Sequence, residues 1–267
     1  MNNKSLISLL LLPLLSAPAL ADERLQEVIA SPDRPEAQAE RDPYRNPYET
    51  LTFFGIEPDM TVVELSPGGG WYSEILGPYL REEGKLIAAH WDLDGDDVPD
   101  FYRRIRGEYE ERIADTERFG DIELVDFNPP EKTELGPDGS ADMVLTFRNV
   151  HSWKRDDTFR DVAQAAHAVL KRGGVFGVVS HRLPEDHEAD PEVRSGYVKQ
   201  SWVVGVLESE GFRLAEHSEI NANPDDTADH PEGVWTLPPS LRGDEAERDK
   251  YREIGESDRF TLKFVKR

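Results

Sequence analysis

From Thr61 to Ile220, short apolar runs alternate with longer segments whose apolar residues recur every three or four positions. The runs "TVVEL" (61–65), "GKLIAAH" (84–90), "DIELVDF" (121–127), "ADMVLTF" (141–147), "VFGVVS" (175–180) and "FRLAEHSEI" (212–220) predict six strands. "RFTLKFVK" (259–266) alternates apolar and polar positions and predicts a seventh, added antiparallel. Helices are predicted between them. One opens at "WYSEIL" and is ended or kinked by Pro78. A charged one covers 100–120, and another covers 196–211. Over 158–174, Phe159, Val162, Ala163, Ala166 and Leu170 share one stripe, Lys171 and Arg172 fall in the last turn, and Gly173 caps. Alternating strands and helices predict an α/β fold, a doubly wound and mostly parallel seven-stranded sheet with an antiparallel last strand.

Two stretches fall outside this rhythm. Residues 22–58 are polar and Pro-rich, and read as short helical pieces packed on the later core. Residues 221–258 are a polar connection of unusual length before the last strand. Trp235, Leu237 and Pro238 can anchor it, which predicts an ordered lid over a site. The N-terminus begins with Lys4, an apolar run from Leu6 to Leu15, and Ala19-Leu20-Ala21, a small-x-small cleavage pattern. Residues 1–21 therefore read as an export leader and 22–267 as one domain, placed in the periplasm with no stable membrane insertion after cleavage.

Charge and cysteine narrow the function. The chain carries 31 basic and 54 acidic residues, a net of −23. Such a surface repels nucleic acid and anionic membranes, so a small-molecule substrate is the expected partner. The absence of cysteine excludes disulfides, thiolate metal sites and a cysteine nucleophile.

In a parallel sheet, ligands bind beyond the carboxyl ends of the strands. The segment after the first strand is Ser66-Pro67-Gly68-Gly69-Gly70. Later strands lead into His90, Trp91 and Asp92, then Asp126 and Phe127, then Arg148, Asn149, His151 and Trp153, then His181, Arg182 and His187, then Asn221, Asn223, His230 and Trp235. Five of the seven histidines thus fall on one rim. The glycine turn lacks the lysine of a P-loop, and Ser73 stands where a dinucleotide fingerprint has its third glycine. A third reading is E/D-x-G-x-G-x-G, matched by Glu64, Gly68 and Gly70, with Ser66 in the first glycine's place. A plain tight turn is the fourth. "DLDGDD" (92–97) lacks EF-hand spacing and reads as a polar loop.

The third motif is the opening motif of class I S-adenosylmethionine-dependent methyltransferases. "PDGSADMVLTFRNVHSW" and "LKRGGVFGVVS" also resemble that superfamily, over about Thr61 to Ile220. More closely, "SEINANP", "GVWTLPPSL" and "IGESDRFTLKFVK" are similar to a family of exported bacterial proteins called predicted methyltransferases. The resemblance implies the Rossmann-like methyltransferase fold and S-adenosyl-L-methionine as cofactor. It implies that Glu64, Ser66, Gly68, Gly69 and Gly70 line its methionine end, with Glu64 acting at the amino group. Asp126 would meet the adenine amino group. His90 departs from the acid that holds the ribose hydroxyls, and Asp92 could compensate. His151 is the expected proton acceptor and His181 the second choice, since imidazole titrates near neutral pH. Asn149, Trp153, Asn221, Asn223 and Trp235 would shape the substrate pocket. Two rivals stand beside this reading. One is a metal-dependent enzyme in which His90, His151, His181, His230 and Asp92 converge. The other is a non-catalytic small-ligand-binding protein that kept the fold.

Overall fold

The computed structural model describes residues 17–94 and 98–267, with side chains from residue 23 onward. Residues 1–16 of the expected leader, and 95–97 of the polar loop, lie outside it. The eight strands are β1 (Thr61–Leu65), β2 (Lys85–His90), β3 (Glu123–Asp126), β4 (Ala141–Phe147), β5 (Leu170–Leu183), β6 (Val198–Lys199), β7 (Phe212–Ser218) and β8 (Arg259–Lys266). The main sheet runs β3-β2-β1-β4-β5-β8-β7. β1 to β5 are parallel neighbours in that order, and β8 lies antiparallel to both β5 and β7. This is the predicted seven-stranded sheet with its antiparallel last strand. The two-residue β6 is an addition off the edge of β5.

The central strands are apolar throughout because both faces are covered. Helices Phe159–Val169 and Gln200–Ser209 bury Val162, Ala166, Val203 and Leu207 on one face. Helix Ser73–Leu80 and the N-terminal extension bury Ile75, Leu76, Leu51 and Phe54 on the other. The extension is built from helices Ala17–Ile29, Glu36–Ala39, Asp42–Arg45 and Pro47–Phe54, the short pieces expected. Gly177 on β5 lets it dock, since a Cβ there would meet Leu145 at 2.7 Å and Phe54 at 2.9 Å. No helix among the described residues is long and apolar enough to cross a membrane.

Several predicted boundaries move, each for a local reason. Pro78 sits inside its helix, which runs on to Leu80. The helix expected to reach Gly173 stops at Val169, because Leu170 pairs with Ala141 and starts the strand ladder. Lys171 then bonds Asp142 at 2.6 Å instead of facing a helix end. The helix expected from Gly196 begins at Gln200, because Val198 and Lys199 pair with Arg182 and Leu183. The charged helix breaks into Asp100–Ile113 and Thr116–Phe119, with Asp115 accepting from the Arg118 N–H as the second N-cap.

The strand order reverses between β1 and β4. A crevice at the carboxyl ends of these two strands is where this architecture binds ligands.

Candidate functional site

The β1 turn stands at that crevice. Ser66, Gly68 and Gly70 all take left-handed backbone, with φ of +50°, +59° and +75°. Ser66 thus adopts the conformation of the glycine it replaces, at a cost of roughly 1 kcal/mol. The glycines differ in purpose. A Cβ on Gly68 or Gly69 would meet nothing within 4 Å, so their backbone faces open space. A Cβ on Gly70 would lie 2.8 Å from the Tyr109 ring, so that glycine serves packing. Glu64 lies buried beneath the turn, accepting a 2.6 Å hydrogen bond from Ser73, whose hydroxyl is 3.1 Å from that of Tyr109. Burial pushes the Glu64 carboxyl up to about 7.

His90 serves the turn from the side. Its Nδ1 accepts from the Trp91 backbone N–H at 2.9 Å, so its Nε2–H donates to the Gly68 carbonyl at 3.0 Å. Burial lowers its pKa to about 4, which keeps the ring neutral and the tautomer fixed. Both ring nitrogens are spent inside the protein. His90 therefore pins the glycine turn and leaves no polar atom for ribose hydroxyls. Asn149 does the same from β4, its amide donating to the Leu65 carbonyl at 3.0 Å and the Ser66 carbonyl at 3.2 Å.

An open cleft of about 540 Å³ is lined by Ser66, Trp91, Asp92, Tyr102, Phe127, Asn128 and Trp153. Beside it, Asp92, Asp94 and Asp126 bring carboxylate oxygens within 4.8 Å of one another. The Lys132 ammonium already fills that position, at 2.8, 2.9 and 3.9 Å from the three. Asp126 also pairs with Arg106 at 3.2 Å.

The expected rim divides. Ser66, Asp92, Asn149 and Trp153 line the cleft. His151 and His181 lie together, with ring centroids 5.6 Å apart, and neither lines the cleft. Burial, then Arg155 and Arg148, lower the His151 pKa to about 4, and its Nδ1 is buried without a partner. His181 bonds the Ser257 hydroxyl, and burial holds it well below its usual range. The four-histidine metal set is not assembled: His230 pairs with Asp226 at 2.9 Å, and His90 is occupied as described.

Residues 221–258 are ordered, but they do not line the cleft. They carry the 3-10 turn Gly233–Thr236, a second at Glu245–Glu247, and helix Arg248–Ile254. Trp235 stands edge-on to His151 at 5.7 Å, so the insertion caps the ends of β4 and β5. Asn221 and Asn223 do not form a substrate pocket. Asn221 donates to the Thr50 and Thr261 hydroxyls, and Asn223 to the carbonyls of Ile254 and Glu256. They tie the insertion to the N-terminal extension and to the entry of β8.

Sequence reasoning missed two sets of residues. Tyr102 lines the cleft from what looked like a solvated helix. Arg45 and Arg259 gather around Glu256 beside Arg148, which the sequence marked only as a rim residue, and "IGESDRF" contains Glu256 and Arg259 in a segment already singled out.

No protein-family model matches the chain, and no curated protein matches it. Solved structures do. A SAM-dependent methyltransferase from Aquifex aeolicus aligns over 91% of this chain and 97% of its own, at TM-score 0.57 and 15% identity. A geranyl diphosphate methyltransferase in complex with SAM aligns over 91% and 95%, at TM-score 0.57 and 12% identity. The [4+2]-cyclase SpnF aligns over 93% and 94%, at TM-score 0.55 and 13% identity. At such identities the likeness concerns architecture, and one architecture hosts more than one reaction. The chain has the Rossmann-like methyltransferase fold.

Proposed function

We propose that this protein is an S-adenosyl-L-methionine-dependent methyltransferase acting on a small molecule. The observation that carries the reading is the open backbone face of Gly68 and Gly69 at the strand-order switch, in the same turn as Ser66, which lines a cleft shared with Trp91, Asp92, Phe127 and Asn128. A glycine cradle suits a chain pressed against the backbone. The aromatic walls suit a purine, and Asp92 offers a carboxylate to ribose hydroxyls. S-adenosylmethionine, when bound, supplies an electrophilic methyl group. The protein's own part is to fix the turn through His90 and Asn149, exclude water, and hold the acceptor in line. In this reading His151 accepts a proton from the acceptor, and its lowered pKa makes it a weak base suited to an acidic proton.

The expected leader belongs to the same reading. Residues 1–21 direct export, and the chain belongs with the exported predicted methyltransferases. Leu25, buried at 2% exposure, lies beyond the cleavage point and keeps its packing in the mature protein. Mass spectrometry of the exported form checks this through an N-terminus at Asp22.

Isothermal titration with S-adenosylhomocysteine tests the cofactor. Binding in the micromolar range, roughly, is expected. Absence of heat at concentrations a thousandfold higher rejects the reading.

A further inference from the structure

Beyond Asn149, on the side away from the cleft, four arginines converge on one carboxylate. Arg41 and Arg45 come from the N-terminal extension, Arg148 from the end of β4, and Arg259 from the start of β8. Glu256, 4% exposed, pairs with Arg41 at 2.6 Å and with Arg45 and Arg259 at 3.3 Å each. No other carboxylate lies within ion-pairing distance of the four among the described residues.

The pairing is incomplete. Arg45 is 1% exposed, and both its Nη1 and Nη2 lack a hydrogen-bond partner. The Arg148 side chain, half-buried, makes no hydrogen bond or ion pair among the described residues. Nδ1 of His151 is buried and unpartnered as well. Four guanidiniums against one carboxylate leave a surplus of positive charge that arginine cannot shed near neutral pH. Burial lowers the Arg148 pKa, but only to about 10. Charges held this way need a counter-ion to offset their desolvation.

The cluster adjoins the glycine turn. Arg45 stacks on Trp71 at 4.6 Å, and the Tyr72 hydroxyl donates to the Arg45 carbonyl at 3.4 Å. Trp71 and Tyr72 directly follow Gly70. Arg148 directly precedes Asn149, whose amide holds the Ser66 carbonyl.

We propose that this arginine cage is an oxyanion subsite, and that the molecule methylated here is an acid whose carboxylate or phosphate is held by Arg45 and Arg148. The planar guanidinium fork matches either group. The word methylated rests on the methyltransferase reading above, whereas the anion site does not. The cofactor's own carboxylate is the other possible source of such an oxyanion, and the experiment separates the two.

The test uses the full chain, with inorganic phosphate and benzoate as probes at constant ionic strength set by sodium chloride. In the wild type, at least one probe raises the melting temperature saturably. Arg148→Gln weakens that response by about tenfold or more, and Arg148→Lys retains part of it. Without anion, Arg148→Gln melts close to the wild type, because the arginine makes no hydrogen bond or ion pair to lose and its attraction to Glu256 is offset by repulsion from Arg45, Arg259 and Arg41. No saturable response in the wild type overturns the proposal and leaves the cage filled by water. S-adenosylhomocysteine affinity is expected to be unchanged in Arg148→Gln. If it falls while 5′-methylthioadenosine affinity holds, the anion is the cofactor's carboxylate and the acid acceptor is overturned. If the wild type binds phosphate but neither nucleoside, the methyltransferase reading fails and the anion site stands.

Discussion

Two regions meet at Asn149 and differ in nearly every physical respect. The cleft towards β3 is open, lined by aromatic edges, and its charges are paired near water, Lys132 with three aspartates. The cage towards β8 is built on buried Arg45, Arg259 and Glu256 and holds one carboxylate for four arginines. The cleft has shape without a charge demand. The cage has a charge demand that its own residues leave unmet. A two-substrate site needs both kinds of place, one to recognise a large neutral surface and one to fix a small charged handle.

Breaking the cage should have the largest effect. Glu256→Gln removes its single carboxylate and should cost about 3–5 kcal/mol in urea unfolding. Burial alone would raise the Glu256 pKa, but Arg45, Arg259, Arg148 and Arg41 together hold it at about 2. Its folded pKa lies below its unfolded value, so its contribution is present above pH 4.5 and is lost as pH falls towards 2. The gap between wild type and Glu256→Gln should close over that range. A cage filled by phosphate should restore part of the variant's stability.

Breaking the cleft should cost binding before stability. Gly68→Val puts a side chain into the open face of the turn at a positive φ. S-adenosylhomocysteine affinity should fall by about a hundredfold, about 2.7 kcal/mol, while strain costs roughly 1–2 kcal/mol of fold stability. A variant that binds as tightly as the wild type would remove the turn from the site.

Glu64 sharpens the contrast through pH. Its folded pKa, about 7, lies above the unfolded value, so the folded state holds the extra proton and stability declines as pH rises from 4.5 to 7. Glu64→Gln removes that decline. Relative to the wild type, the variant should gain on the order of 2 kcal/mol between pH 5 and pH 8 in paired denaturation curves. His90, His151 and His181 act oppositely, since their lowered pKa values make stability fall with pH below about 6.5. The effect is therefore read as a difference between the two proteins.

Lys132→Ala should do least. Its partners are at the surface and screened, so the melting temperature should move by about 1 °C or less. A larger drop would mean that the aspartates beside the cleft carry more repulsion than their exposure implies.

Sheet and glycine turn were legible in the sequence because they depend on local pattern. Six apolar runs and one alternating segment matched the seven strands of the main sheet, and Ser66, standing in a glycine's place in the motif, takes left-handed backbone. The insertion was legible as an ordered segment through Trp235, but not as a cap over β4 and β5 in place of the cleft, because that depends on where the loop lands. The role of His90 was hidden for a similar reason. A rim histidine looks available until the Gly68 carbonyl and the Trp91 N–H are placed against its ring. Asn221 and Asn223 misled because polar loop residues bond backbone as readily as ligand. The cage was least legible, since Arg41 and Glu256 alone are separated by 215 positions and no spacing links its members.

That separation also sets a timetable. The N-terminal extension contributes Arg41 and Arg45, Glu256 lies 215 positions beyond Arg41, and β8 slots between β5 and β7 only after both exist. Contacts so distant along the chain close late in folding. Throughout synthesis, and through any passage of an unfolded chain across a membrane, the arginines remain apart in water, where their charges are inexpensive. The four arginines are complete around Glu256 only when the last strand stands between β5 and β7.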